Sequence, residues 1–351
     1  MISVIILARD KSQLSRACLN ALAHCSSVDH LEVIFVDNDS RDDTPSLANE
    51  YRGRFPRFYY LRNNSNLSFS LANNRAAQAA RGDTLLFLNN DVVAGRGAIE
   101  RMAAALDADP AAGVAGARLV FPGGETIQHA GIVQTLWGYP SNYGQGGRAG
   151  DPRFNQPRAI FAVTGAMMLI RRELFQRIGG FDERYVWGYE DVDLCLKTRA
   201  AGSTVIYVPS ALSEHWESAT LKETRDERVV DENFNLYHAA WAGALGAAEE
   251  RLIAQLRAMP VTRPIIFGAG RAARGLTQRL IRAGIEPVGF IVSADPPRPA
   301  VFMGKPVVSL AALDRRAFDR LLIGTQFYFE IEPALEAAGL RDAVFFPVMF
   351  E

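Results

Sequence analysis

Three short runs constrain this fold most: SVIIL at 3–7, LEVIFV at 31–36 and TLLFL at 84–88 are apolar at nearly every position. A strand with one wet face alternates, whereas a run apolar on both faces belongs to a parallel sheet covered by helices on both sides. The sequence between them supplies those helices, near 12–25, 44–51 and 71–80, and residues 58–61 read as a further strand. This rhythm predicts an α/β fold with a mostly parallel central sheet flanked by helices. Each apolar run leads into polar residues: Asp10, then Asp37 and Asn38, then Asn89, Asn90 and Asp91. In open α/β sheets the carboxyl ends of the strands face the ligand crevice, so these residues are the first candidates for a site.

At 351 residues the chain exceeds one typical core, and two domains are expected. The first is placed at 1–225, a helical linker at 226–259 and a Rossmann-like α/β domain at 260–351. Residues 121–157, rich in Gly and Pro and without periodicity, read as a long loop over a ligand cleft. Order returns at 159–170, followed by a helix at 172–178, a second helix at 191–200 and a strand at 204–208. The two prolines at 260 and 264 read as a hinge.

Hydrophobic residues make up 48% of the chain and charged residues 22%. No apolar run reaches the ~18 residues of a membrane span, so a globular core and no span are expected. The opening MISVIILARD lacks a basic leader and a cleavage site and reads as a strand, with cytoplasm as the expected compartment. Cys18, Cys25 and Cys195 have no CxxC spacing and read as reduced structural thiols. A net charge of -1 argues against a nucleic-acid partner, and leaves open a local basic patch facing the inner face of a membrane. A homo-oligomer is neither implied nor excluded.

The acidic clusters carry the chemistry. Asp91 offers a hard oxygen ligand to a divalent cation, Mn2+ or Mg2+, of the kind that takes one or two carboxylates plus substrate phosphates. Asn-Asn-Asp also turns a chain, and that reading stands beside it. Asp37 and Asn38 can accept from a nucleotide base or ribose, while Asp42 or Asp43 is expected to cap the next helix. In WGYEDVD, Glu190, Asp191 and Asp193 gather at a helix start, where the dipole favours carboxylates. Flanking Trp187 and Tyr189 offer faces for a sugar, and partial desolvation raises a carboxylate toward the range of a general base. Asp191 is assigned that role. His215, after the strand at 204–208, is the candidate additional metal ligand through a neutral imidazole.

With these residues in view, the first 220 or so positions resemble the family 2 glycosyltransferases, especially rhamnosyltransferase-like enzymes of surface polysaccharide synthesis. The resemblance rests on SVIILARD, VDNDSRDDT, NSNLSFSLANNRAAQAARGDTLLFLNND, VTGAMMLIRRELFQRIGGFDERYVWGYEDVDLCLKTRAAG and the downstream His215. It implies the GT-A nucleotide-diphospho-sugar transferase fold and a nucleoside-diphosphate sugar as donor, with Asp10, Asp37, Asn38, Asn66, Asn89, Asn90, Trp187 and Glu190 around it. Asp91 would hold the metal against the diphosphate, and Asp191 would take a proton from a hydroxyl of a glycan or lipid-linked acceptor, inverting the anomeric carbon. The chain departs from the usual pattern at Asp10, at Asn89 in place of the first Asp of DxD, and at Ser68 and Ser70.

In the C-terminal part, Gly268, Gly270 and Ala273 follow a strand as G-x-G-x-x-A, with Asp295 at the end of the next strand. That fits a dinucleotide fingerprint, and it equally fits a tight turn with close helix packing. The stretch is similar to the N-terminal domains of bacterial sugar acyltransferases, which handle nucleotide sugars. Two other readings stay open for the whole chain: another nucleotide-sugar enzyme such as a nucleotidyltransferase, or a degenerate scaffold that binds nucleotide sugars without turning them over.

Overall fold

The computed structural model describes residues 1–25, 28–186, 188–216 and 226–350. The chain divides into two compact units, Met1–Ile132 with Arg148–Ala240, and Val133–Gly147 with Trp241–Glu351.

The first unit is built on a ten-stranded sheet. Its N-terminal half consists of β1 (Ile2–Ala8), β2 (Leu31–Asp37), β3 (Phe58–Arg62) and β4 (Thr84–Asn89), all parallel in the order β4-β1-β2-β3. Every residue of β2 is buried, including Glu32, whose carboxylate accepts from Ser3 Oγ and from the backbone N–H of Arg81. Helices α1 (Ser12–Ala23), α2 (Thr44–Tyr51) and α3 (Phe69–Ala79) connect these strands. Asp42 accepts from Ser12 N and Thr44 N, so one carboxylate caps the starts of both α1 and α2. Asp43 occupies the N-cap position of α2 without a side-chain bond.

The sheet continues through the short β5 (Val92–Val93), α4 (Ala98–Ala108), β6 (Ala112–Val120) and β7 (Ile127–His129). Two further short strands, β8 (Ile132–Thr135) and β9 (Pro140–Asn142), lie largely in the segment that belongs to the second unit. The 121–157 region is therefore not one long loop. Ile127–His129 and Ile132–Thr135 are buried at every position, so no alternation betrays them as strands. Next come β10 (Arg158–Ala159), β11 (Met167–Arg171), α5 (Arg172–Arg177), α6 (Glu190–Ala200), β12 (Thr204–His215) and α7 (Glu227–Ala240). β11 is antiparallel to both neighbours, β4 and β6, whereas β12 runs parallel to β6. β12 extends well past the expected end at 208. Pro209 falls in a bulge between Val208 and Leu212, where the ladder needs no donor.

The second unit holds α8 (Ala242–Arg257), β13 (Pro264–Phe267), α9 (Arg271–Arg282), β14 (Gly289–Val292), β15 (Val301–Phe302), β16 (Lys305–Ser309), β17 (Arg320–Ile323), α10 (Tyr328–Ala337), β18 (Val344–Phe345) and β19 (Val348–Met349). β16, β14, β13, β17 and β18 form a parallel sheet, with β15 as an antiparallel edge. β19 pairs with β8. Helix α8 buries Leu252, Ile253 and Leu256 in the core of this unit, beside Leu276 and Leu280 of α9. No helix among the described residues is long and apolar enough to cross a membrane.

Candidate active site

Sheet register assembles the site. β1 lies between β2 and β4, with Ala8 level with Asp37 and Leu7 level with Asn89. The polar ends of three strands therefore reach the same edge of the sheet.

Asp37 is fully buried, and its carboxylate is largely consumed by internal bonds. Oδ1 accepts from Ser40 N (2.8 Å), and Oδ2 from Tyr60 Oη (2.6 Å) and Arg62 Nη1 (3.0 Å). A carboxylate has about four lone-pair directions, so about one remains. Burial and the bond to Asp37 push Tyr60 up to about 12. Asn38 organises the 63–67 loop: Nδ2 donates to Asn66 Oδ1 and Leu67 O, and Oδ1 accepts from Asn63 Nδ2 and Leu67 N. Asp10 has φ 53° and is pinned at both ends, its N–H donating to Ser40 Oγ and its Oδ1 accepting from Arg41 N. Asn90 Nδ2 donates to Ser15 Oγ on α1.

Asp91 and His215 are brought together by strand pairing. β5 pairs with the end of β12, His215 opposite Val92, and Trp216 N donates to Asp91 O. His215 Nε2 stands 3.1 Å from Asp91 Oδ1, and Nδ1 stands 2.7 Å from Gln128 Oε1. The Gln128 amide is oriented by its own donation to His215 O, so its oxygen faces the ring and Nδ1 carries the hydrogen. In the neutral ring Nε2 then presents a lone pair toward a carboxylate oxygen, and only a proton or a cation reconciles the two. Gln128 was not among the sequence candidates, because nothing local marks a glutamine on a buried three-residue strand.

Asp191 sits in the first turn of α6, half-buried. Its Oδ2 accepts from Gly165 N at 2.9 Å and its Oδ1 from Val192 N at 2.8 Å. The next residue of that loop, Ala166, accepts from Asn89 N through its carbonyl, and Thr164 N donates to His129 Nε2. Loop 164–166 thus ties the catalytic candidate to the end of β4 and to the strand that carries Gln128. A Cβ at Gly165 would lie 3.4 Å from Asp191 Cβ and 3.3 Å from Phe69 Cζ, so glycine permits this close approach. Burial pushes Asp191 up from the ordinary carboxylate value, and the two N–H bonds pull it partly back. Glu190 is buried, its Oε2 has no partner among the described residues, and burial with the neighbouring Asp191 charge raises it to about 8. Burial thus raises both of these adjacent acids, and the Asp191 charge adds to the rise at Glu190. Asp193 pairs with Lys197 at 2.9 Å and belongs to the helix itself. On α7, Asn233 Nδ2 donates to Gly188 O and Tyr237 packs 5.1 Å from the Tyr189 ring, fixing the turn before α6. Trp187 lies outside the described residues.

Among the described residues, no group of three or more His, Cys, Asp or Glu side chains is arranged to hold a metal. Asp91 and His215 bring one carboxylate oxygen and one imidazole nitrogen together, 3.1 Å apart. In the second unit, Gly268 (φ 111°) follows β13, and a Cβ there would lie 2.8 Å from Gly324 O. Ala273 is buried against Gly324, Gly270 faces open space, and Asp295 is exposed beyond β14.

Comparison with known proteins decides the family. The profile described as Glycosyl transferase family 2 matches residues 3–179, just over half of the chain. The chain belongs to glycosyl transferase family 2. A second profile, N-terminal domain of galactosyltransferase, matches this family 2 chain over residues 152–218, across β11, α6 and β12. The chain is 31% identical to the O-antigen biosynthesis protein RfbC of Myxococcus xanthus over 261 residues, covering 70% of this chain and 19% of that one. It is 30% identical to the N-acetylglucosaminyl-diphospho-decaprenol L-rhamnosyltransferase of Mycobacterium tuberculosis over 202 residues, covering 52% and 65%. The matched part thus spans less than two thirds of either relative. Among solved structures it is similar to GalNAc-T7 with UDP, GalNAc and Mn2+, with a TM-score of 0.55 at 14% identity, covering 82% of this chain and 55% of that one. The family 2 part of the chain has the GT-A fold.

Proposed function

We propose that this protein is an inverting, metal-dependent glycosyltransferase that moves a sugar from a nucleoside diphosphate to a hydroxyl of a glycan or lipid-linked glycan, in surface polysaccharide synthesis. The observation that carries the reading is the Asp191 carboxylate, raised by burial and aimed by the Gly165 N–H, on the loop that also holds the end of β4. A weakly acidic alcohol needs a positioned base, and Asp191 is that base: one oxygen keeps its backbone bond while the other takes the acceptor proton. A single displacement at the anomeric carbon inverts it. The names of two relatives, an O-antigen biosynthesis protein and a rhamnosyltransferase acting on a diphospho-decaprenol-linked sugar, support the acceptor class.

A divalent cation fits the donor set. Two atoms in neighbouring positions of an octahedral cation with ~2.1 Å bonds lie about 3 Å apart, and Asp91 Oδ1 and His215 Nε2 are 3.1 Å apart. The GalNAc-T7 structure, of the same fold, contains Mn2+. When bound, the ion supplies Lewis-acid stabilisation of the departing diphosphate. Gln128 holds the imidazole with Nε2 exposed to the ion, and Asn89 and Asn90 line the strand end without adding charge.

The test is nucleoside diphosphate release from a panel of UDP-, GDP- and dTDP-sugars with Mn2+, with and without EDTA, for wild type and Asp191→Asn. Release that needs the metal and the aspartate is expected. Release indifferent to EDTA overturns the metal assignment. Absence of both release and metal-dependent nucleotide binding favours the scaffold reading.

A further inference from the structure

A cavity of about 680 Å³ opens on the first unit beside the middle of β12, against α4 and β10. This lies in the range of small-molecule sites, which are mostly apolar with a few placed polar groups. Ala105, Ile206 and Val208 supply apolar wall, and Arg101, Arg118 and Arg158 supply charge, while none of the lining residues is acidic. The β12 bulge shapes it: β12 advances from Val208 to Leu212 while β6 advances only from Ala117 to Arg118. That leaves the Ser210 carbonyl outside the ladder, and Arg101 Nε donates to it at 2.6 Å. Arg101 Nη2 donates to Arg96 O, and Arg118 Nη1 to Asn155 Oδ1. Both guanidiniums are held in place by neutral oxygens, which orient them without neutralising them. Among the described residues, Arg118 Nε has no acceptor.

We propose that this cavity binds a phosphorylated amphiphile, its phosphate on Arg101 and Arg118 and its apolar part against the α4 and β12 walls. Fixed planar guanidiniums match a phosphate through paired N–H bonds, and a phosphate monoester near neutrality carries about −1.5 to −2, enough to answer two of them. The source is a soluble phosphorylated compound or the headgroup of an anionic lipid, and the two are separable by experiment.

Binding of octyl phosphate below its micelle concentration is measured by calorimetry on the full chain, beside sedimentation with phosphatidylcholine vesicles with and without phosphatidic acid. Wild type is compared with Arg118→Ala, Arg118→Lys, the cavity-filling Ala105→Trp, and Asp91→Asn as a variant of the candidate active site. Far-ultraviolet circular dichroism and the melting midpoint confirm that each is folded. Saturable binding weakened roughly ten- to a hundred-fold by Arg118→Ala, less by Arg118→Lys, blocked by Ala105→Trp and unaffected by Asp91→Asn is expected. Octyl phosphate binding without phosphatidic-acid-dependent sedimentation assigns a soluble ligand, and phosphatidic-acid-dependent sedimentation weakened by the same cavity variants assigns a lipid headgroup. Binding in neither arm, binding unchanged by both cavity variants, or binding abolished by Asp91→Asn alone overturns the proposal.

Discussion

Replacing Glu190 by Gln tests whether the two adjacent acids of α6 are split in function. Glu190 is raised from its ordinary 4.5 to about 8 by burial and by the Asp191 charge. Between those values the unfolded chain has released this proton while the folded chain retains it, so stability falls as pH rises, by about 1.4 kcal/mol per unit. The full span of about 3.5 units caps the loss at about 5 kcal/mol, complete above pH 8. Glutamine has the shape of the protonated acid and does not titrate, so near pH 5 the variant and wild type should melt within a degree or two of each other. At pH 8.5 the variant should be the more stable, by at least about 2 kcal/mol, which for a unit of this size is at least about 4 °C in the first transition. Scanning calorimetry in chelator at pH 5, 7 and 8.5 reads this. Adding Asp191→Asn should shrink the gap, because that charge supplies part of the shift. A wild-type minus variant difference that stays constant across the three pH values would refute the assignment of a protonated Glu190 beside an ionised Asp191.

Other expectations follow from the same geometry. Asp191→Asn should lower turnover by about 10²- to 10⁴-fold while leaving nucleoside diphosphate affinity intact, read by release kinetics and calorimetry. Because burial raises Asp191, kcat/KM should fall on the acid side as pH drops through that elevated value, and this limb should vanish in the variant. Gln128→Leu frees the His215 ring and should weaken Mn2+ binding by about 10- to 100-fold in a titration with nucleotide present, at a stability cost of about 1–3 kcal/mol from the buried groups left unpaired. Gly268→Ala places a Cβ against the Gly324 carbonyl at positive φ and should cost about 1–3 kcal/mol in the second unit alone, leaving the first transition in place.

Much of the first unit could be read from sequence because β1, β2 and β4 are covered on both faces and appear as runs apolar at nearly every position. Helix α6 was legible for a different reason: acids in its first turn and Lys197 and Arg199 in its last follow the helix dipole. The 121–157 region was not legible. Its strands are three or four residues long, buried at most positions, and separated by glycines with positive φ. The unpaired stretch of β12 at Pro209 likewise looked like a strand end, since a bulge is a property of two strands and not of one.

The candidate site divides along the same line. Residues proposed to act through their own chemistry, Asp91, Asp191 and His215, declare themselves by type and by position at strand or helix ends. Residues that place them do not. Gly165 works through a backbone N–H, and Gln128 meets His215 across 87 positions of sequence. Asp37 shows the converse: sequence marks it as acidic at a strand end, and the structure spends most of its oxygens on Ser40, Tyr60 and Arg62. Its charge then acts by fixing Tyr60 and Arg62 at the rim, where Arg62 is 41% exposed and faces solvent on one side. If donor recognition runs through that rim, Asp37→Asn should loosen Arg62 and weaken nucleotide binding with little effect on the metal. Arg62→Ala, leaving Asp37 buried without its cation, should do the same and also lower the stability of the first unit.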